Sequence, residues 1–110
     1  MRVPPIPRSL LPHSMAVRPC EETDEGRKIG DEMKIGHVRY VKAEALSQRR
    51  HVLLEGSKGI VYVDRVNSDG AFAVPVYSEA IIGGERLTVV KATPYEEFDG
   101  TLHHWELEVA

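Results

Sequence analysis

Five histidines, one cysteine and a run of carboxylates are the residues here with chemistry to offer. The histidines are His13, His37, His51, His103 and His104. Consecutive side chains on a regular strand point to opposite faces, so His103 and His104 cannot easily ligate one metal together. No H-x-H, H-E-x-x-H or paired-cysteine motif is present. Parity along the strand puts His103 with Trp105 and Leu107, which predicts a partly buried structural role for it. Cys20, between Pro19 and the pair Glu21-Glu22, has no base nearby in sequence to make it a nucleophile. Ser9, Ser14, Ser47 and Ser57 lie in no nucleophile elbow. Glu21, Glu22, Asp24, Glu25, Asp31 and Glu32 lack the D-x-[DN]-x-[DN]-G spacing of a calcium loop. Gly83-Gly84 lacks the glycine–lysine signature of a phosphate loop. These residues predict no catalytic set, no metal and no cofactor.

The cations are more suggestive. Arg39, Lys42, Arg49, Arg50, Lys58 and Arg65 crowd the middle of the chain, with Tyr40 and Tyr62 among them. Aromatic rings within a basic strand face are what an oligonucleotide-binding barrel uses. Glu44, Glu55 and Asp64 interrupt the positive field, which favours an ordinary solvated surface. The net charge of −3 is too mild to declare a nucleic-acid binder or an acidic partner.

The elements that position these residues read as strands. The chain of 110 residues, 42% hydrophobic, has room for one core. A single cysteine leaves no internal disulfide framework, and a reduced chain made in the cytoplasm is expected. No run approaches the ~18 consecutive apolar residues of a membrane helix, so no membrane partner is expected. Pro4, Pro5, Pro7 and Pro12 break any signal-peptide helix and predict an extended arm over residues 1–12, ahead of one domain over 13–110. Val3, Ile6, Leu10 and Leu11 are apolar, unlike a merely solvated tail, and such an arm can lie along a neighbouring subunit.

Within the domain, residues 13–20 form a first strand, with Met15 and Val17 alternating inward until Pro19. Residues 21–32 read as an acidic loop. A second strand centres on His37-Val38-Arg39-Tyr40-Val41. The stretch 43–54 stays open between helix and strand–loop, with Arg49-Arg50-His51 as a bend and Val52-Leu53-Leu54 packing back. Residues 60–66 are apolar nearly throughout, as in a strand covered on both faces. Asn67-Ser68-Asp69-Gly70 is a turn, and Pro75 keeps residues 71–78 out of a central strand. The diglycine predicts a hairpin over 81–90. Residues 93–100 form a last loop. Trp105, Leu107 and Val109 then alternate with His104, Glu106 and Glu108 in a final strand that closes the sheet. The pattern predicts an all-β fold, a small antiparallel barrel or sandwich of about six strands. Trp105, Leu107, Val89, Leu87, Val61, Val63 and Val38 should share one core.

Three stretches together resemble a known family. They are Pro4-Pro5-Ile6-Pro7 with Leu10-Leu11-Pro12-His13-Ser14, then Leu87-Thr88-Val89-Val90-Lys91 with Pro94, and finally His103-His104-Trp105-Glu106-Leu107-Glu108-Val109. With the glycine hairpin between them, they are similar to the minor capsid proteins of tailed phages and prophages. The family's tryptophan–glycine–lysine–proline segment is replaced here by Asp24-Glu25-Gly26-Arg27-Lys28-Ile29, so contacts of that loop do not carry over. The resemblance implies a non-enzymatic head-completion or head–tail connector subunit, a small barrel in a ring below the portal. It implies other copies of the chain, the portal, neighbouring neck and tail-completion proteins and packaged DNA as partners. The subunit would be made in the bacterial cytoplasm, stay monomeric in isolation and end in the virion neck. On that reading Val3, Pro4, Pro5, Ile6, Leu10 and Leu11 form the contact arm, and Lys42, Arg49, Arg50 and Lys58 form a weakly DNA-facing loop. The competing expectation is a nucleic-acid-binding barrel acting alone.

Overall fold

A computed structural model describes residues 3–45 and 53–110. Its strands are β1 (His13–Arg18), β2 (Cys20–Thr23), β3 (Gly26–Ile29), β4 (Met33–Lys42), β5 (Gly59–Asp64), β6 (Glu79–Ile82), β7 (Glu85–Glu96) and β8 (Leu102–Val109). Six of them close a barrel in the order β1-β4-β5-β8-β7-β6, with β1 pairing back onto β6 through Ala16, Val17 and Arg18. Every pairing is antiparallel. The all-β barrel expected from the alternation is therefore the architecture of the molecule.

β5 lies between β4 and β8, and all its residues but Tyr62 are buried. Its β-branched content suits that position, because such side chains pack well on a pleated surface. The core joins Val61 and Val63 to Leu107 and Val109, Val38, Leu87 and Val89, and Met15 and Val17. Burying each such aliphatic side chain contributes roughly 1.5–3 kcal/mol. Trp105 packs against this cluster while staying only partly buried. Val74, from the connector that precedes β6, reaches the same core.

Two glycine positions explain themselves. Gly83 and Gly84 have φ of 57° and 81°, so they form the two-residue turn with both residues left-handed that joins β6 to β7. Gly59 begins β5 where a Cβ would stand 2.3 Å from the Val41 carbonyl oxygen and 2.8 Å from the Tyr40 ring. No larger residue fits there without moving backbone.

Four local expectations need correction. Residues 21–32 are not simply an acidic loop: β2 and β3 pair from Cys20–Ile29 to Thr23–Gly26 as a separate two-stranded hairpin. Glu21 faces Lys28 and Glu22 faces Arg27, so charge complementarity stabilises a ribbon that buries almost nothing. The Arg27 guanidinium lies 3.8 Å over the Tyr77 ring and ties this hairpin to the connector. Residues 93–96 belong to β7 rather than to a loop. Pro94 is tolerated there because β7 pairs with β6 only through Glu85–Thr88 of its length and beyond has β8 alone beside it. Val66 lies past the end of β5 in a turn and is 53% exposed. Leu54 is half exposed instead of packing back, with its amide donated to Glu108 Oε2. Ala43–Ala45 form one 3-10 turn, and the rest of the ambiguous stretch, 46–52, lies outside the described residues.

Candidate functional site

The arm lies against one end of the barrel, held first by its backbone and then by the Arg8 and Leu11 side chains. The Val3 amide donates to Glu97 Oε1 (2.6 Å), and the Ile6 amide donates to Asp64 Oδ1 (3.0 Å). Asn67 Nδ2 donates to the Ile6 carbonyl (2.8 Å), and His103 Nε2 meets the Pro4 carbonyl at 2.7 Å. Prolines cannot offer amides, so this segment is gripped at the amides and carbonyls that remain. Arg8 then bridges to Asp69 at 3.0 Å, and Asp69 also accepts from His37 Nδ1 at 2.8 Å. A 3-10 turn over Arg8–Leu10 delivers Leu11 into the interior, where it is 1% exposed. Val3, Pro4, Pro5 and Leu10 remain exposed and Ile6 half-buried.

Asp64 organises this end. It is fully buried, and its Oδ2 accepts from the amides of Val66 (3.0 Å) and Asn67 (2.7 Å) while Oδ1 takes Ile6. An aspartate that accepts from the amides two and three residues on closes a turn in place of the backbone. Ser68 completes it, receiving the Asp64 amide at 2.8 Å and donating to the His37 carbonyl. Sequence reading makes Asp64 a surface charge that interrupts the cations; it is buried instead, and Asp64-Arg65-Val66-Asn67-Ser68-Asp69-Gly70 carries the signature of the turn it closes.

Of the cationic candidates, Lys42 and Lys58 lie at the opposite end of β5, about 17 Å away at ~3.3 Å per strand residue. Lys42 pairs with Gly59, the residue after Lys58, so the two lysines are neighbours there. Both are exposed, and Lys58 Nζ stands 3.8 Å from Glu85 Oε2. Glu44 and Glu85 line the same depression as Lys42, Lys58 and Tyr40. Burial, helped by Glu85 and Glu44, pushes the Tyr40 hydroxyl above its usual value. Arg49 and Arg50 lie outside the described residues. Leu10 of the arm and Lys42 do line one open groove, together with Tyr40 and Glu44.

The remaining chemistry-bearing residues are dispersed. Cys20 is buried, with its amide on Ser78 Oγ at 2.9 Å. His13 Nδ1 accepts the Tyr40 amide at 3.1 Å. Among the described residues no group of three or more histidine, cysteine or acidic side chains could hold a metal. No helix among them is long and apolar enough to cross a membrane.

The model of the minor capsid protein family matches residues 7–109. The chain belongs to this family of phage minor capsid proteins. No curated protein and no solved structure matches it. As a minor capsid protein it has a structural role in the virion, where it associates with other virion proteins, and its family is not one of enzymes.

Proposed function

We propose that this minor capsid protein is a head-completion or head–tail connector subunit that joins a ring below the portal. The observation that supports this reading is the arm. Its backbone is fixed by Glu97, Asp64, Asn67 and His103, while Val3 (55%) and Leu10 (49%) turn apolar side chains to solvent. A fixed segment that displays apolar groups loses little entropy when a neighbour covers it. Val3, Pro4, Pro5, Ile6 and Leu10 are the surface we assign to a neighbouring subunit or the portal. Leu11 supports them from inside.

Lys42 and Lys58 make the side that we assign to packaged DNA; Arg49 and Arg50, the other cations of that sequence segment, lie outside the described residues. Glu44 and Glu85 temper their field. One subunit binds DNA negligibly, whereas a ring gathers such charges at one radius. Weak, sequence-independent contact suits a channel that must let the genome pass.

Electron microscopy of the protein mixed with its cognate portal tests the reading. Rings or caps on the portal are expected with the full chain and fewer with a chain lacking residues 1–10. That truncation stops short of the buried Leu11 and should fold. A portal that stays bare, together with tight salt-dependent binding of single-stranded nucleic acid by the monomer, would replace the connector with a nucleic-acid-binding barrel.

A further inference from the structure

Beyond Glu96 the chain passes from β7 to β8 through a built turn. The Glu97 amide donates to the Thr101 carbonyl (2.8 Å), and the Gly100 amide donates to the Glu97 carbonyl (2.9 Å). The Thr101 amide donates to Asp99 Oδ1 at 2.9 Å. Gly100 has φ of 85°, as the left-handed residue that ends a three-residue hairpin loop must. The turn thus accounts for Asp99 and Gly100, but it does not account for Phe98. Phe98 holds the first central position, which most residues can fill. It is 111% exposed, against 43–55% for the other exposed large hydrophobics among the described residues. Scattered half-exposed aliphatic side chains need no explanation, whereas an aromatic ring fixed wholly in water is a knob without a socket.

Its neighbours set the kind of socket. Glu96, Glu97 and Asp99 flank the ring, and no lysine or arginine occurs from Ala92 to Leu102. Two depressions offer apolar walls. One, of about 190 Å³, lies beside the tip and is lined by Val3, Pro4, Pro5 and Glu97 itself. Its rim therefore repeats the tip's own charge, and its one cation, Arg65, has Nε committed to the Leu102 carbonyl at 2.7 Å. The other, of about 570 Å³, runs along β4, where Leu10, Pro12, Tyr40 and Val41 line it with Arg39 and Lys42. Glu44 is the one carboxylate there. Arg39 is exposed and forms no ion pair among the described residues.

We propose that the Phe98 tip of one copy docks in the Arg39–Tyr40 groove of the next, with Glu96 against Arg39, and that this contact repeats around the ring. The ring itself rests on the connector reading. The contact rests on charge and shape. Lys42, ~10 Å further along β4 than Arg39, stays beside Lys58 on the side assigned to DNA.

Placement separates the two depressions. The tip runs past the end of the barrel where Tyr95 faces His104, while the groove extends to Lys42, which faces Gly59 at the other end. A knob at one end and a socket at the other make a head-to-tail contact, which can close into a ring. Filling the depression beside the tip brings two tips together about a two-fold axis, and such a pair admits no third copy. The size of the contact also suits assembly. A buried aromatic side chain covers ~150–250 Å², whereas a stable pairwise interface takes about 1,200–2,000 Å². Two copies therefore meet weakly, and the contact gains when several close together on the portal. The turn's own bonds and the Glu97 hold on Val3 fix the tip beforehand, so little order is lost on docking.

The full chain with photoreactive benzoylphenylalanine in place of Phe98 tests the contact, irradiated in concentrated solution and again with the cognate portal. Mass spectrometry should find links between copies that end within residues 9–13 or 39–45. Raised salt and Arg39→Glu should each cut their yield several-fold, and adding Glu96→Lys to Arg39→Glu should restore it. Links to residues 3–5 of another copy, links to the portal in their place, or no link between copies would overturn the proposal. Phe98→Ser removes a fully exposed ring, so Trp105 fluorescence should report an intact barrel while rings on the portal become fewer. Rings as frequent as with the unaltered chain would also overturn the proposal and leave the connector reading standing. A portal left bare by the unaltered chain would end that reading, and the links formed without portal would still decide this one.

Discussion

Asp64 and Glu108 are both buried carboxylates on neighbouring strands, near opposite ends of the β5–β8 pair, and each ties a segment outside the barrel to it. Asp64 takes three backbone amides, two from its own turn and one from the arm. Glu108, on the strand face that alternation marks as polar, takes the Leu54 amide at 2.7 Å and the Ser57 hydroxyl. The first set of donors is locked in a turn. The second comes from a separate connection 51 and 54 residues away in sequence, and residues of both sets are exposed or half-buried, so the two carboxylates differ in whether their own turn holds the donors in place. The difference teaches that burial of a charge alone does not measure its structural weight. What counts is whether its partners have another acceptor to go to.

Asp64→Ala should therefore have the largest effect, a loss of about 2–4 kcal/mol in chemical denaturation, since it removes the acceptor of three backbone amides at once. Glu108→Ala should cost about 1 kcal/mol, with Leu54 and Ser57 resolvated. Equal losses at the two positions would break the contrast. Asp64→Asn sharpens it: one amide oxygen still accepts but the other position now donates, so the loss should fall between the two.

The smallest effect is alkaline. Burial first, then Glu106, raises the Tyr62 hydroxyl above its ordinary value of 10.0. The folded chain thus holds that phenolic proton more tightly than the unfolded chain. The resulting stability is fully present below pH 10.0 and is lost as pH climbs from there through the folded value. Tyr62→Phe should flatten part of that decline in a thermal-melting series.

Much of the barrel was legible because its signals are local. β5 is apolar nearly throughout, β8 alternates over its second half, and Gly83-Gly84 can only be a tight turn. The β2–β3 hairpin was not legible, because hydrophobic periodicity registers only strands with a face to bury, and this ribbon has cross-strand charge pairs in its place. The prolines predict an extended arm, whereas Arg8–Leu10 form a 3-10 turn, and the anchor at Ile6 was not legible because Ile6 and Asp64 are 58 residues apart. The contact between His103 and His104, whose Nδ1 atoms lie 2.8 Å apart, was invisible for another reason. Parity assumes a regular pleat, and one extra residue in β8 reverses the conclusion.

Pro94 has a consequence for the molecule in company. Where β7 runs on past β6, a strand edge is open to whatever chain comes alongside. In a crowded assembly such an edge is an invitation to endless sheet growth. An exposed proline in the middle of that stretch offers no amide for the next rung, and its ring resists a flat approach. Copies of this chain can then gather through side-chain surfaces and the arm without being drawn into a fibre along β7.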